Sequence, residues 1–431
     1  MAKPAIPGTA DAVILGAGIS GISTALTLQA LGYTPCIISA YVPRQAETAS
    51  KHSLVPTDYA MASAYPHHLK IENLKSISSS SQELFKQLEL INGSGVSLYR
   101  IFEVYEQEPS APPLCEDRIN FQNFDGKPES LRKRMNVPAR NGADHLWGWY
   151  FDSFFADMPR YLGFLWKIFY EFGGQFIHAN LENREQVELL CDGRNVVNCL
   201  GIGSKSIFSD DAPLSLVRGK QVLIPNTPIL KADGELPFAY NYTPTPEVFS
   251  RADGSSEYIH FFARSNDWLL GQTREAGQLG DNGEWIGEPV CGEHVDLNGV
   301  QIPKAILTLN EELLKDIFGV TFANRELVGR EGYRYYRDPN GDGVRLCTEE
   351  FTKSTIIHNY GHGGSGITMS WGCSLEAARL FVEIEGQKNK TRVAASPRNL
   401  GSGPGELFKI LNEQFEVSTQ SKRANELAIQ N

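Results

Sequence analysis

The chain has 431 residues, 41% hydrophobic and 21% charged, enough for roughly two or three compact units with ordinary cores. Its formal charge is −11, from 40 basic and 51 acidic side chains, which disfavours a basic groove for nucleic acid or an anionic membrane surface. No run approaches the roughly 20 apolar residues of a membrane span, and the first residues lack the pattern of a cleaved signal. The seven cysteines (Cys36, Cys115, Cys191, Cys199, Cys291, Cys347, Cys373) are scattered and contain no C-x-x-C, so reduced thiols in a cytoplasmic protein are expected, with no disulfide scaffold and no metal site.

The first element is the short β-branched run Ala12-Val13-Ile14-Leu15. It turns through Gly16-Ala17-Gly18-Ile19-Ser20-Gly21 into a helix over residues 22–31, capped by Gly32, and Cys36-Ile37-Ile38 is the next strand. This β–turn–α–β unit is the start of a dinucleotide-binding fold. A Ser/Thr/Pro-rich, aromatic stretch follows to about residue 150, with a polar helix near Ser80 to Leu90. Trp147 to Tyr170 reads as aromatic and helical, ended by Gly173-Gly174. Asn195 to Gly201 is a buried strand running into a glycine, and residues 219–350 suggest an antiparallel sheet. Ser354 to Arg379 returns to strand, glycine loop and helix. Ser396 to Gly405 reads as a linker, after which Leu407, Phe408, Leu411 and Phe415 form one face of a last helix. That helix is open to two readings, a homodimer contact or a helix packed on its own chain.

Two glycine clusters carry chemistry. In the first, Gly16 permits the tight turn, Gly18 lets backbone approach a pyrophosphate, and Gly21 lets the helix pack closely. The second strand ends Ser39-Ala40-Tyr41, without the acidic residue that would hold an NAD ribose. In the second cluster, Gly361, Gly363, Gly364, Gly366 and Gly372 lie between a strand and a helix. A bare backbone there lets an aromatic ring system lie close and offers N–H donors near Thr368. Asp338 to Glu349 satisfies a calcium-loop pattern, but both flanks read as strands, so a hairpin tip is expected.

With these segments in place, the chain resembles the FAD-dependent D-amino acid oxidase and D-aspartate oxidase family. The matching motifs are Val13 to Gly21, Tyr59 to His68, Val196 to Gly201, Arg218-Gly219-Lys220-Gln221, and His358 to Cys373, which together span residues 11–385. The resemblance implies FAD as cofactor. It puts Gly16, Ala17, Gly18, Ser20 and Gly21 against the pyrophosphate, Ser39, Ala40 and Leu181 by the adenosine, and Ala62, Ser63 and Ala64 by the isoalloxazine. Gly201 ends a further contact strand, while Gly363, Gly364, Ser365, Gly366, Ile367 and Thr368 would border the ring.

The family's G-x-R-P-x-R arginine, which grips the substrate carboxylate, is aligned on Gly329-Arg330-Glu331, so Glu331 stands in its place. The family's carboxylate-binding tyrosine falls on His260. With both anchors changed, the expected substrate is an amine or modified amino acid, with His260, Glu331, Arg334 and Ser365 lining the site.

The expected fold class is α/β: a Rossmann-like FAD-binding domain (8–66, 155–218, 351–385) with a mixed, largely antiparallel substrate-binding sheet domain (67–154, 219–350), and 386–431 as linker and C-terminal helix. The expected chemistry is oxidation of a C–N bond by hydride transfer to flavin N5, with O2 as acceptor giving peroxide. A flavin monooxygenase or dehydrogenase on the same fold, or a non-catalytic FAD-binding protein, are the other readings. No nucleic acid, membrane or metal is expected.

Overall fold

The structure is a computed structural model that describes residues 6–41, 52–53, 55–63, 71, 73–110, 118–232, 234–280, 284–338, 343–388, 407–417 and 420. Its strands form two principal sheets. The first has six strands in the order Thr348–Glu350, Thr355–His358, Val196–Asn198, Ala12–Leu15, Pro35–Ser39, Gln175–His178. All neighbours are parallel except the Thr348–Glu350 hairpin arm. Parallel strands are covered on both faces, which is why Ala12–Leu15 and Pro35–Ser39 are fully buried, apolar-rich runs. On one face the helix Ile19–Ala30 packs with Met158–Glu171 and Ser370–Lys388 in a core that includes Ile22, Phe169 and Trp371. On the other, Val187, Cys191 and Phe208 close a smaller core.

The second sheet is mixed and mostly antiparallel. Its main path runs through Glu275–Leu279, Leu214–Pro225, Asp267–Gly271, Ile259–Ala263, Leu236–Thr243, Val96–Tyr105 and Leu146–Ala156, and Val328–Arg337 branches from Leu214–Pro225. Leu236–Thr243 and Val96–Tyr105 pair in parallel. The helix Lys304–Phe318 covers this sheet with Ile306, Leu309, Leu313 and Leu314 buried. Among the described residues, no helix is long and apolar enough to cross a membrane.

Several elements differ from the sequence expectation. Trp147 to Tyr170 is a strand, Leu146–Ala156, followed by a helix, Met158–Glu171, with Pro159 in its first turn. The aromatic run favours a pleated surface. Gly148 is required there, because a Cβ would stand 2.0 Å from the Glu103 carbonyl oxygen of the neighbouring strand. The helix Lys304–Phe318 was concealed in a stretch read as sheet, although its buried positions follow helical spacing and Gly319 ends it in a left-handed turn. Strands Val96–Tyr105 and Ile119–Gly126 occupy the stretch assigned only a helix, and that helix spans Leu74–Glu89.

The expected domain cuts fall inside Leu146–Ala156 and Leu214–Pro225, and they separate Thr348–Glu350 from its partner Thr355–His358. The helix Leu74–Glu89, expected with the substrate sheet, packs Leu84, Phe85 and Leu88 into the core under the parallel sheet. Gly372 permits that contact: a Cβ there would meet the Ile77 carbonyl oxygen at 2.1 Å. The expected hairpin tip is flanked by strands Val328–Arg337 and Thr348–Glu350, while residues 339–342 lie outside the described ones. Residues 407–417 are helical and bury Leu407 and Leu411 against the chain's own core, with Phe408 edge-on to Phe172 at 4.1 Å.

Candidate functional site

The turn between Ala12–Leu15 and Ile19–Ala30 opens one wall of a cavity of about 440 Å³. Gly16 has φ +102°, and a Cβ there would stand 2.5 Å from the Cys199 carbonyl oxygen, so only glycine fits the turn against the neighbouring strand end. Gly18 precedes the helix without a side-chain cap, and the first turn carries no acidic residue. The Ile19 N–H donates to Thr57 Oγ1 at 3.1 Å, from a segment far along the chain. A helix N-terminus with its dipole aimed into a cavity and no competing carboxylate attracts phosphate.

Gly16, Ala17, Gly18, Ser20, Ser39, Ala40, Leu181 and Gly201 all line this cavity. Gly21 does not, because it lies where a Cβ would meet the Gly16 carbonyl oxygen at 2.0 Å; its part is close packing of the helix on the turn. Among the described residues, the one carboxylate in these walls is Asp210. Arg337 grips it through two N–H groups at 2.7 and 3.1 Å, and the Tyr360 hydroxyl donates to it at 2.7 Å. Burial pushes the Asp210 carboxyl up, but those hydrogen bonds outweigh it and bring the pKa down to about 2. Its charge is thus neutralised locally. Cys199 is buried against the turn, and burial raises its thiol to about 12, so it serves as packing.

Ile19, Pro56, Thr57, Gly363 and Gly366 belong to this cavity and to a second one of about 150 Å³. Ser63, Gly364, Ile367 and Thr368 line the second, and the Thr368 hydroxyl donates to the Ser63 carbonyl at 3.1 Å, tying the two ring-facing segments together. Three expectations change here. Ala62 turns into the core beside Ala156, since alternate residues of a strand face opposite ways, and Ala64 lies outside the described residues. Ser365 is buried at 2% exposure and lines neither cavity. The aromatic ring lying against Gly363 is Tyr336 of this chain, whose Cδ1 would be 2.4 Å from an added Cβ.

The far walls of the small cavity come from the second sheet, and pleating decides which residues reach it. From Val328–Arg337, Gly332, Arg334 and Tyr336 line it, with Tyr333 at its border; Glu331 does not. Glu331 is on the opposite face, 3.9 Å from Arg218, where the Tyr333 hydroxyl donates to it at 3.4 Å. The family's G-x-R-P-x-R spacing is met three residues downstream of the expected alignment, by Gly332-Tyr333-Arg334-Tyr335-Tyr336-Arg337, without its proline. Arg334 is therefore the arginine that this strand brings to the cavity. Its guanidinium donates to Gln272, and its Nη1 is buried with no hydrogen-bond partner among the described residues.

His260 is fully buried in the same walls, with neither ring nitrogen hydrogen-bonded among the described residues. Burial above all, and then Arg334 and Arg274, hold its pKa well below the ordinary imidazole value, so it is neutral. Sequence reasoning missed Arg274, Tyr258, Gln221 and Asn241. Arg274 stacks on Tyr258, 4.8 Å from the ring centroid. The walls carry no Asp or Glu among the described residues. The available signal was the alternation itself: Tyr258, His260 and Phe262 are two apart, as are Gly219 and Gln221.

These features define a dinucleotide cavity joined to a small polar chamber, the layout of a flavin-dependent oxidoreductase. Residues 11–380 match the family described as FAD dependent oxidoreductase (DAO), and the chain belongs to it. It is 28% identical over 378 residues to a D-amino-acid oxidase of Rubrobacter xylanophilus, covering 86% of this chain and 95% of that one. It is 26% identical over 389 residues to the D-aspartate oxidase of Homo sapiens, covering 87% and 95%. In fold it is similar to L-proline dehydrogenase from P. horikoshii, with a TM-score of 0.58, 13% identity and coverage of 88% and 94%. The likeness to L-amino acid deaminase from Proteus myxofaciens has a TM-score of 0.56, 15% identity and coverage of 90% and 94%. The enzyme is FAD-dependent, and the glycine turn, the Thr57-braced helix start and the acid-free second-strand end fit that cofactor.

Proposed function

We propose that this enzyme oxidises the C–N bond of a dicarboxylic D-amino acid, with Arg334 gripping the α-carboxylate and Arg274 answering the side-chain carboxylate. The observation that carries the reading is the Arg334 guanidinium, with a buried Nη1 that has no partner among the described residues, in a chamber whose described walls hold no carboxylate. A guanidinium fork is matched to a carboxylate, and positive charge left without a partner in a cavity wall favours an anionic ligand. Glu331, the ground for expecting a substrate without a carboxylate, faces elsewhere. The similarity to proteins named D-amino-acid oxidase and D-aspartate oxidase supports the configuration and the acidic class.

Bound FAD supplies a two-electron acceptor, with O2 as the final acceptor yielding hydrogen peroxide. The chain's own contribution is positional. Arg334 and Arg274 fix the two ends of the substrate, and neutral His260 adds no charge. The two arginines also favour the uncharged amine, the form that gives up a hydride.

Anaerobic titration of the FAD-loaded enzyme with D-aspartate, D-glutamate, D-alanine and the L-enantiomers, followed by flavin absorbance, tests this. D-aspartate or D-glutamate should bleach the flavin fastest, and Arg334→Leu should lower kcat/KM roughly 100-fold or more while retaining FAD. Faster reduction by D-alanine or by simple amines would sink the proposal.

A further inference from the structure

The donors of the small chamber are accounted for by carboxylates; among its described residues, one buried amide oxygen without a partner is not. Gln221 lies on Leu214–Pro225, two residues from Gly219, so both face the chamber, and it is 4% exposed. Its Nε2 donates to the Tyr59 carbonyl oxygen at 3.0 Å. A carbonyl oxygen only accepts, so this contact fixes the amide: the nitrogen faces Tyr59 and Oε1 points away. That Oε1 is buried with no hydrogen-bond partner among the described residues. Ser63 Oγ and the His260 ring nitrogens also lack partners, but a hydroxyl can turn and a neutral imidazole both donates and accepts. Gln221 Oε1 requires a donor.

A buried amide oxygen carries a desolvation cost that an apolar residue would avoid, so its place in this wall is explained by a ligand N–H. A dicarboxylate brings no donor except at its amino group. We propose that Gln221 Oε1 receives an N–H of the substrate's amino group and so orients that group on the carbon next to the carboxylate held by Arg334. This rests on the acidic amino acid reading above. The neutral amide suits the chemistry, since it accepts from an ammonium or an amine without locking the proton in place. A carboxylate at position 221 would stabilise the ammonium and hold the substrate in its unreactive form.

The test compares D-aspartate with succinate, its analogue lacking the amino group, on the FAD-loaded enzyme. Gln221→Met should lower kcat/KM for D-aspartate about tenfold, the loss expected for one hydrogen bond. Inhibition by succinate should stay within about twofold of wild type, and the flavin spectrum and FAD affinity should be unchanged. Gln221→Glu should move the rise of kcat with pH upward by about one unit. Equal weakening of succinate would reduce Gln221 to a shape role, and loss of FAD would turn it toward the cofactor; either overturns the proposal. Ordinary D-aspartate kinetics in Gln221→Met would overturn it while leaving the acidic-substrate reading intact. Failure of D-aspartate to reduce the wild-type flavin would remove both.

Discussion

Two missing side chains seat the charged and neutral groups of the chamber. Arg334 lies across Gly219, where an added Cβ would stand 2.8 Å from Nη1 and 3.3 Å from Cζ. His260 lies across Gly271, its partner on the neighbouring strand, with Nε2 2.1 Å from the corresponding Cβ. The two glycines differ in what a methyl group would displace. At Gly219 the obstacle is the far end of a flexible side chain, so the backbone need not move, but the guanidinium must. Gly219→Ala is expected to leave the thermal midpoint within about 2 °C of wild type and to lower kcat/KM about 10- to 100-fold, because about 1 Å of misplacement at the carboxylate grip is enough. Steady-state kinetics and a thermal melt on one preparation decide this. A large drop in the melt with normal kinetics would mean that Gly219 serves the sheet and not the arginine.

At the scale of elements, the helix Ile19–Ala30 is braced from outside its own segment. Its preceding residue, Gly18, has no side chain to cap it, and Thr57 Oγ1 accepts the Ile19 N–H instead. Thr57→Val keeps the shape and removes the acceptor. It should cost about 1 kcal/mol of stability, as loss of an N-cap does, and weaken FAD retention because the helix start forms the phosphate wall. Flavin content after dialysis and the denaturation midpoint measure the two effects, and an unchanged midpoint would deny Thr57 the cap. The glycines of this unit were legible in the sequence because turn, strand and helix lie within about 30 residues and each glycine answers a local steric demand. The chamber was less legible. Gln221, His260 and Arg334 are brought together by strand pairings across the second sheet, and a shift of a few residues in aligning one strand exchanged Arg334 for Glu331. Thr57 had no local signal at all, since its partner is 38 residues away. Lys304–Phe318, by contrast, carried its helical spacing openly and was obscured by the strands around it.

For the molecule as a whole, three buried imidazoles are kept neutral, two of them in the cavity walls. His260 is neutral in the substrate chamber. His362 beside the glycine turn is lowered to about 4 by burial. His358, at the end of its parallel strand, is also lowered to about 4, by burial first and then by Arg345, against the pull of Glu349. Its bonds agree with a neutral ring: Nδ1 lies 3.0 Å from the Asn198 amide nitrogen, and Nε2 lies 3.1 Å from Glu349. Asn198 Oδ1 already accepts from Leu200 and Ser204, so its amide nitrogen is the donor and Nε2–H of His358 donates to the carboxylate. Each folded pKa lies below the unfolded value of about 6.5, so the unfolded chain binds protons that the folded chain refuses. Stability is whole above about pH 6.5 and declines as pH falls through the window down to about 4, where Asp210, at about 2, still keeps its ion pair with Arg337. On the order of 1–2 kcal/mol per histidine should be lost by pH 5. The denaturant midpoint should therefore drop between pH 7.5 and 5 with a net uptake of protons on unfolding, and His358→Asn should remove its share of the slope. A midpoint flat across that range would mean the imidazoles take up protons without unfolding, through a seam that opens to water.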